Sequence, residues 1–412
     1  MGYCCFVLAY DFSGKWNCGY TFPILTFAKF NGQAGSWGVI QTALLSSSLS
    51  GTPTSTITFV GSLSLCCCVT FGLFGVRLIS ILGTRYTALL GMGMIGVGEI
   101  AAGFVTSSIG GLFALVGVLV GIGTCLIYAI CNSIPPQYFS AKLGTANGIV
   151  KFGGGVGATV LSVALQALID RVGTAWMFRI LGIITLATGL PAAYLTTERI
   201  PLHRTRLVEF SMFKSLPFAA IFLASAFGTF ALFVPPYFLP LYAQSAGLSA
   251  QTGAALVAGF NACTAIGRLG AGWVCDRIGP MNTFLLSMAF NAISMLAIWP
   301  ISNSLASLTV FAIINGVANG GFFVALPTTV ASMAAPGMAA LAMSMNTTGF
   351  AAGYLLGTPI AGYLLQATGA DRGTAIDLYR PAIFYAGGVA LVSSLCVLLA
   401  RIKTDPRIKK KI

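Results

Sequence analysis

Gly267-Arg268-Leu269-Gly270-Ala271-Gly272-Trp273-Val274-Cys275-Asp276-Arg277-Ile278-Gly279-Pro280-Met281-Asn282 begins inside one apolar segment and ends at the start of the next. Within it, Gly272, Asp276, Arg277 and Gly279 are spaced as G-x-x-x-D-R-x-G. A glycine on a membrane helix lets a neighbouring helix come close. The Asp-Arg pair falls at a helix end, where a carboxylate can sit near the positive N-terminus of a neighbouring helix. Gly279 permits a tight reversal, and Pro280 suits the first turn of the helix that follows. The plainer alternative is a charged turn between two hydrophobic helices.

Composition frames that stretch. Of 412 residues, 57% are hydrophobic and 8% charged, and the mean hydropathy is +0.89. No soluble domain needs that much apolar surface, so the pattern specifies an all-α, polytopic membrane protein. The apolar runs are continuous, not alternating, which excludes an outer-membrane barrel. Fifty glycines suit helices packed through small residues. A net charge of +13 would suggest nucleic acid in a soluble protein. Here the charges sit between apolar segments and at the C-terminus, as cytoplasmic loops would have them. Cys66-Cys67-Cys68, Cys125, Cys131, Cys263 and Cys396 lie in apolar runs and read as small hydrophobes, not a disulfide framework. The lone His203 has no cluster around it, so neither a metal nor a cofactor is expected.

The first thirty-odd residues read poorly, and no clean signal peptide stands out, since the basic n-region is missing. A first helix is placed near 20–49. Apolar spans then follow at 58–76, 86–105, 109–134, 143–168 and 174–195, and again at 216–243, 253–275, 283–301, 305–325, 338–365 and 381–399. Each suits a membrane helix of about 20 residues. About twelve transmembrane helices result, in two pseudo-symmetric six-helix halves, 1–197 and 216–400. A central loop, 198–215, joins them, and a basic tail, 401–412, ends the chain. Opposite Asp276-Arg277-Ile278-Gly279 the first half has Ser80-Ile81-Leu82-Gly83, flanked by Arg77 and Arg85. This first copy has lost its acid and the arginine that follows. Arg77, Arg85, Lys142, Arg277, the central loop and the tail put the basic residues on one side, which places both termini in the cytoplasm.

The loop Gly272–Gly279 resembles the signature of the major facilitator superfamily (MFS) of secondary transporters. Trp37-Gly38-Val39, Gly51-Thr52-Pro53, Gly61-Ser62, Tyr138-Phe139, Ala146-Asn147-Gly148 and the glycines 153–155 and 157 are similar to its fungal monocarboxylate-porter-like group. So are the stretch Pro235 to Asn282, with Leu239-Pro240-Leu241-Tyr242-Ala243 and Asn261-Ala262, and Gly357-Thr358-Pro359-Ile360-Ala361-Gly362. The resemblance implies an alternating-access carrier for a small organic solute, often an acid or a secondary metabolite, and gives Gly272, Asp276, Arg277 and Gly279 a gating role. Animal monocarboxylate carriers place an aspartate four residues before the arginine matching Arg268; here Thr264 stands there, and their N-terminal helix lysine has no secure counterpart. Proton-coupled lactate transport is therefore not carried over, and the coupling ion stays open. The alternative is a non-transporting membrane sensor or receptor on the same fold, which a long soluble domain would favour; the loops here are short.

Four ionisable residues fall within apolar spans: Glu99, Lys151, Arg179 and Arg268. A charge at bilayer depth costs about 2.5–3.5 kcal/mol on insertion scales, so each needs a partner or a wet cavity. Glu99 and Arg179 match in depth and are expected to form a structural ion pair. Lys151 and Arg268 both lie about 12 Å from the same membrane face, at ~1.5 Å per residue. They are the candidate anion site, with Asn261 and Tyr242 as further substrate contacts. The competing reading has Arg268 bonding Asp276 or backbone carbonyls while Lys151 snorkels to the surface. Phe230, Phe233, Tyr237, Phe238 and Tyr242 could wall a cavity or simply pack, and Pro235-Pro236 and Pro240 should break their helix. The glycine run at 153–157 lies inside a helix and not after a strand, which argues against a nucleotide loop. Asn346-Thr347-Thr348 is a glycosylation sequon inside an apolar span and reads as unused. The partners expected are a small molecule and the lipid bilayer, with no nucleic acid, and the chain is expected to act as a monomer in the cell membrane, a vacuolar or other internal membrane being the alternative.

Overall fold

A computed structural model describes residues 36–41, 43–45, 47–49, 51–133, 143–196, 209–335, 338–369 and 376–405. Their regular structure is entirely helical. In chain order the helices are α1 Thr54–Thr70, α2 Gly72–Ala102, α3 Ile109–Asn132, α4 Leu143–Tyr194, α5 Leu216–Ala243 and α6 Ala250–Ile278. They continue as α7 Pro280–Ile301, α8 Leu305–Met333, α9 Ala339–Thr348, α10 Phe350–Thr368 and α11 Arg380–Thr404. Helix α6 starts where the Ser249 side chain accepts from the Thr252 N–H, and α8 starts on a reciprocal Ser304–Ser307 capping box. Both devices satisfy N–H groups that a helix start leaves without partners.

Helix α4 is 52 residues long. At ~1.5 Å per residue it would run about 78 Å, far beyond a hydrocarbon core of about 30 Å. Gly173, at φ 78°, breaks it into two crossings, and Gly83, at φ 80°, does the same in α2. The part of α2 before Gly83 continues α1 into a single crossing, and α9 with α10 makes another. Eleven crossings result among the described residues, and the helical residues 36–41 and 43–45 belong to a twelfth. Gly279 (φ 97°) and Gly369 (φ 75°) reverse the chain at the matching places of the second half. The spacing from Gly83 to Gly279 equals that from Gly173 to Gly369. The repeat seen faintly in the sequence is thus a repeat of left-handed turns that glycine alone adopts readily.

The break in α5 comes at Phe233, one turn ahead of where the prolines stand. The cause is the missing N–H of Pro236, which leaves the Leu232 carbonyl one turn earlier without its helical donor. Asn319 of α8 replaces it, donating from Nδ2 at 2.8 Å. In a membrane such a freed carbonyl needs a protein partner.

The halves meet along two seams. On one, α4 packs on α6 through glycine; on the other, α1 packs on α10, where Ser62 and Thr358 share a hydrogen bond of 3.0 Å. The start of the first helix, Lys142, Tyr138-Phe139, His203 with most of the central loop, and the tail beyond Asp405 lie outside the described residues. The sequon residue Asn346 is fully buried.

Candidate substrate path and gate

Helix α6 carries Asn261, Ala265, Arg268 and Gly272 on one face by its 3.6-residue period, and all four are buried. That face is turned to α4. A Cβ on Gly148 would stand 2.8 Å from the Arg268 carbonyl oxygen, and one on Gly272 would stand 2.7 Å from that of Gly144. The backbones touch, so no side chain fits between them.

Asp276 completes this seam. Its carboxylate accepts from the backbone N–H of Gly144 at 3.1 Å and of Thr145 at 2.9 Å. The Thr145 hydroxyl donates to it at 2.5 Å. These are the first N–H groups of α4, so the acid of one half caps a helix of the other, at its positive end. Arg277 takes no part there: its guanidinium lies 3.8 Å from the Trp273 ring centre, one turn back on the same helix. Gly279 makes the reversal into α7. A second bond crosses the halves one turn deeper, from Asn147 Nδ2 to Thr328 Oγ1 of α8 at 3.1 Å.

Above this closure lie the two cations, both nearly inaccessible. Arg268 Nη1 donates to the Lys151 carbonyl at 2.8 Å, so the backbone-bonding half of the competing reading holds. Lys151 does not snorkel; its Nζ donates to Asn132 Oδ1 at 3.0 Å and sits 5.8 Å from the Tyr128 ring centre. The Arg268 guanidinium lies 5.0 Å from the Phe323 ring centre, with Tyr128 and Tyr354 as electrostatic neighbours. Phe323 and Tyr354 each face Phe233, at 6.4 and 5.3 Å, and Phe233 faces Tyr237 at 6.3 Å. An aromatic wall from α5, α8 and α10 therefore adjoins the cation pair.

The other expected contacts distribute differently. Asn261 is buried two turns from Arg268 on the α4-facing side. Tyr242 is a packing residue: its hydroxyl donates to the Ser302 carbonyl at 2.9 Å, and its ring meets Trp299 and Tyr379. Of the five α5 aromatics, Phe233 and Tyr237 belong to the row of rings that adjoins Arg268. Glu99 and Arg179 go to separate partners one turn apart. The Glu99 carboxylate accepts from the Thr185 hydroxyl at 2.6 Å. Arg179 Nη2 donates to the Gly103 carbonyl at 3.1 Å and its guanidinium lies over Phe104 and Trp176. Among the described residues no cluster of His, Cys, Asp or Glu suits a metal ion. Asn132, Thr145 and Asn319 are absent from the candidates read in the sequence, and Asn147 enters there only within a resemblance motif. A buried amide in an apolar span carries the same demand for a partner, and that signal would have found three of them.

A model of the Major Facilitator Superfamily matches residues 24–270 and 252–412. An aspyridones efflux protein of Emericella nidulans is 30% identical over 370 residues, covering 87% of this chain and 73% of that protein. An agnestins efflux protein of Paecilomyces divaricatus is 26% identical, covering 92% of this chain and 86% of that protein. Among solved structures, a bacterial homologue of the iron transporter ferroportin in an outward-facing state is similar at TM-score 0.70 and 13% identity, covering 93% of this chain and 99% of that one. The nucleoside transporter NupG is similar at TM-score 0.65 and 15% identity, covering 93% and 100%. At these identities the two structures speak for the fold alone. The relatives are fungal transporters, and the monocarboxylate-like subgroup stays a resemblance.

Proposed function

The chain belongs to the major facilitator superfamily, and from that premise we propose that it exports an anionic secondary metabolite by alternating access. It is a multi-pass membrane transporter, and the sensor alternative finds no support among relatives that are themselves transporters. The observation that carries the anion reading is the meeting of Lys151 and Arg268. The guanidinium of one reaches the backbone of the other, in a buried place on the seam between the halves. No acid occurs in 143–169 or 250–275 to neutralise them within their own spans. Two like charges at membrane depth attract an anion once the path opens. Arginine supplies a planar fork for a carboxylate and lysine a point charge. Export as the direction rests on the efflux proteins among the relatives.

The Asp276 end is taken as cytoplasmic, with both termini on that side in the cell membrane, because the basic loops lie there. The halves are drawn as 1–197 and 216–400, joined by 198–215. Among the described residues Glu99 is the one acid well inside an apolar span, and it stands on the N-terminal half away from the seam.

The test is transport of a probe carboxylate, 2-naphthoate, by the protein reconstituted in vesicles. Arg268→Ala should abolish it and Arg268→Lys weaken it, at unchanged protein level. Unaltered apparent affinity in Arg268→Ala would leave the arginine as part of the gate alone. For orientation, Lys403→Cys in a cysteine-free variant should resist an impermeant thiol reagent on intact cells; labelling from outside would reverse the topology.

A further inference from the structure

We propose that the Tyr237 hydroxyl is a substrate-binding group, and that the carried anion is an elongated, planar, conjugated acid with an uncharged oxygen remote from its carboxylate. This rests on the anion reading above and specifies the other end of the molecule.

Tyr237 is 8% exposed, and its hydroxyl has no hydrogen-bond partner among the described residues. A buried hydroxyl without a partner is unfavourable. Phenylalanine would pack the same ring without that burden, so the hydroxyl makes sense where something bonds to it during the transport cycle. Other buried polar atoms also lack partners, Trp299 Nε1 and Tyr385 Oη among them, but Trp299 is stacked on Phe311 inside the second half. Tyr237 differs in its neighbours. From the Arg268 guanidinium the path runs to the Phe323 ring at 5.0 Å, to Phe233 at 6.4 Å and to Tyr237 at 6.3 Å. A cation stands at one end of this row, a lone hydroxyl at the other, and aromatic faces and edges between.

Aromatic pairs favour tilted and offset geometries, so a flat conjugated ligand with its acid on Arg268 suits these rings once the path opens around them. Its far end then meets Tyr237, which can donate to a carbonyl or accept from a hydroxyl. Tyr237 also directly follows Pro235-Pro236 on the discontinuous helix, and broken helices border transporter binding sites. A site that hydrogen-bonds a substrate oxygen rejects the analogue lacking it, which makes Tyr237 a specificity residue.

The experiment is calorimetric binding of 2-naphthoate and 6-hydroxy-2-naphthoate to the purified full-length protein, its Tyr237→Phe variant and its Arg268→Ala variant. The unaltered protein should bind the hydroxy acid about fivefold more tightly, the scale of one net hydrogen bond. Tyr237→Phe should erase that preference and leave 2-naphthoate affinity within about twofold. Arg268→Ala should weaken both acids alike. Thermal unfolding of Tyr237→Phe should occur at the same temperature or higher; a lower one would mean the hydroxyl has a structural bond, and would overturn the proposal. Equal binding of both acids by the unaltered protein, or a preference that survives in Tyr237→Phe, would overturn it while leaving the anion reading in place. A preference lost in Tyr237→Phe with Arg268→Ala inert would remove the anion reading and keep the Tyr237 contact. No binding of either acid would remove both.

Discussion

The Asp276 carboxylate accepts both the backbone N–H and the hydroxyl of Thr145, at 2.9 and 2.5 Å, across the seam between the two halves. One side chain thereby ties the last turn of a helix in the second half to the first turn of a helix in the first. The equivalent stretch of the first half, Ser80-Ile81-Leu82-Gly83, holds no acid for the matching task. The closure at this end is therefore one-sided in its charge, and it must separate whenever the path opens there.

Asp276→Asn keeps one acceptor oxygen and removes the charge. Hydrogen bonds to a charged group contribute about 1.5–3 kcal/mol; at the lower figure, with one acceptor kept, the closed arrangement loses roughly tenfold relative to the open one. Cys275 reads this out, since it is buried at 1% exposure against Gly144. In a variant whose other cysteines are replaced, Asp276→Asn should speed labelling of Cys275 by a permeant thiol reagent about tenfold. An unchanged rate would mean that the glycine contacts alone hold the seam.

Those contacts have their own test within one helix. A Cβ on Gly272 meets the Gly144 carbonyl oxygen at 2.7 Å, whereas nothing lies within 4 Å of one on Gly270. Backbone cannot yield cheaply, so Gly272→Ala should lower the thermal midpoint in detergent by several degrees, a loss of about 1–3 kcal/mol. Gly270→Ala should leave it unchanged or raise it, because alanine favours the helix by about 1 kcal/mol. Equal effects at the two sites would contradict the close approach.

The contrast between Asp276 and Tyr242 marks how far a sequence can be read. Asp276 ends a helix, and its chemistry follows from that place in any packing. Lys151 and Arg268 could be matched in depth because rise per residue is fixed at ~1.5 Å. Tyr242, Glu99 and Arg179 needed a second coordinate, the rotation of each helix about its axis, and in spans apolar on all sides the sequence leaves that rotation unmarked. Glu99 and Arg179 lie within a turn of one another in depth, yet a turn is enough to exchange partners. Pro235-Pro236 do interrupt α5 as the sequence leads one to expect, whereas Pro240 is carried inside the helix without ending it. A proline disturbs the carbonyl four residues before it, so Phe233 and Leu232 carry what Pro236 causes.

Asn319 should repay that disturbance measurably. Asn319→Leu preserves volume and leaves the Leu232 carbonyl buried without its donor, which is unfavourable by about 1–3 kcal/mol. Thermal unfolding should fall accordingly. Restoring the N–H instead, with Pro236→Ala, should make the Asn319→Leu loss smaller, since the helix can then bond its own carbonyl. Additive losses in the double variant would mean that Asn319 acts elsewhere.

Glu99 offers the sharpest test of partner choice inside the first half. Its carboxylate is fully buried and takes the Thr185 hydroxyl at 2.6 Å, while Arg179 holds the Gly103 carbonyl, one helical turn along from Glu99. If these bonds set the energetics, a double-mutant cycle between Glu99→Gln and Thr185→Val should give a coupling of about 1.5–3 kcal/mol, as expected for a hydrogen bond to a charge. The cycle between Glu99→Gln and Arg179→Gln should give under about 0.5 kcal/mol, the level at which separate sites add. Thr185→Ser, which keeps the hydroxyl, should restore most of what Thr185→Val loses. A coupling to Arg179 larger than the coupling to Thr185 would instead establish the ion pair that the depth match suggested.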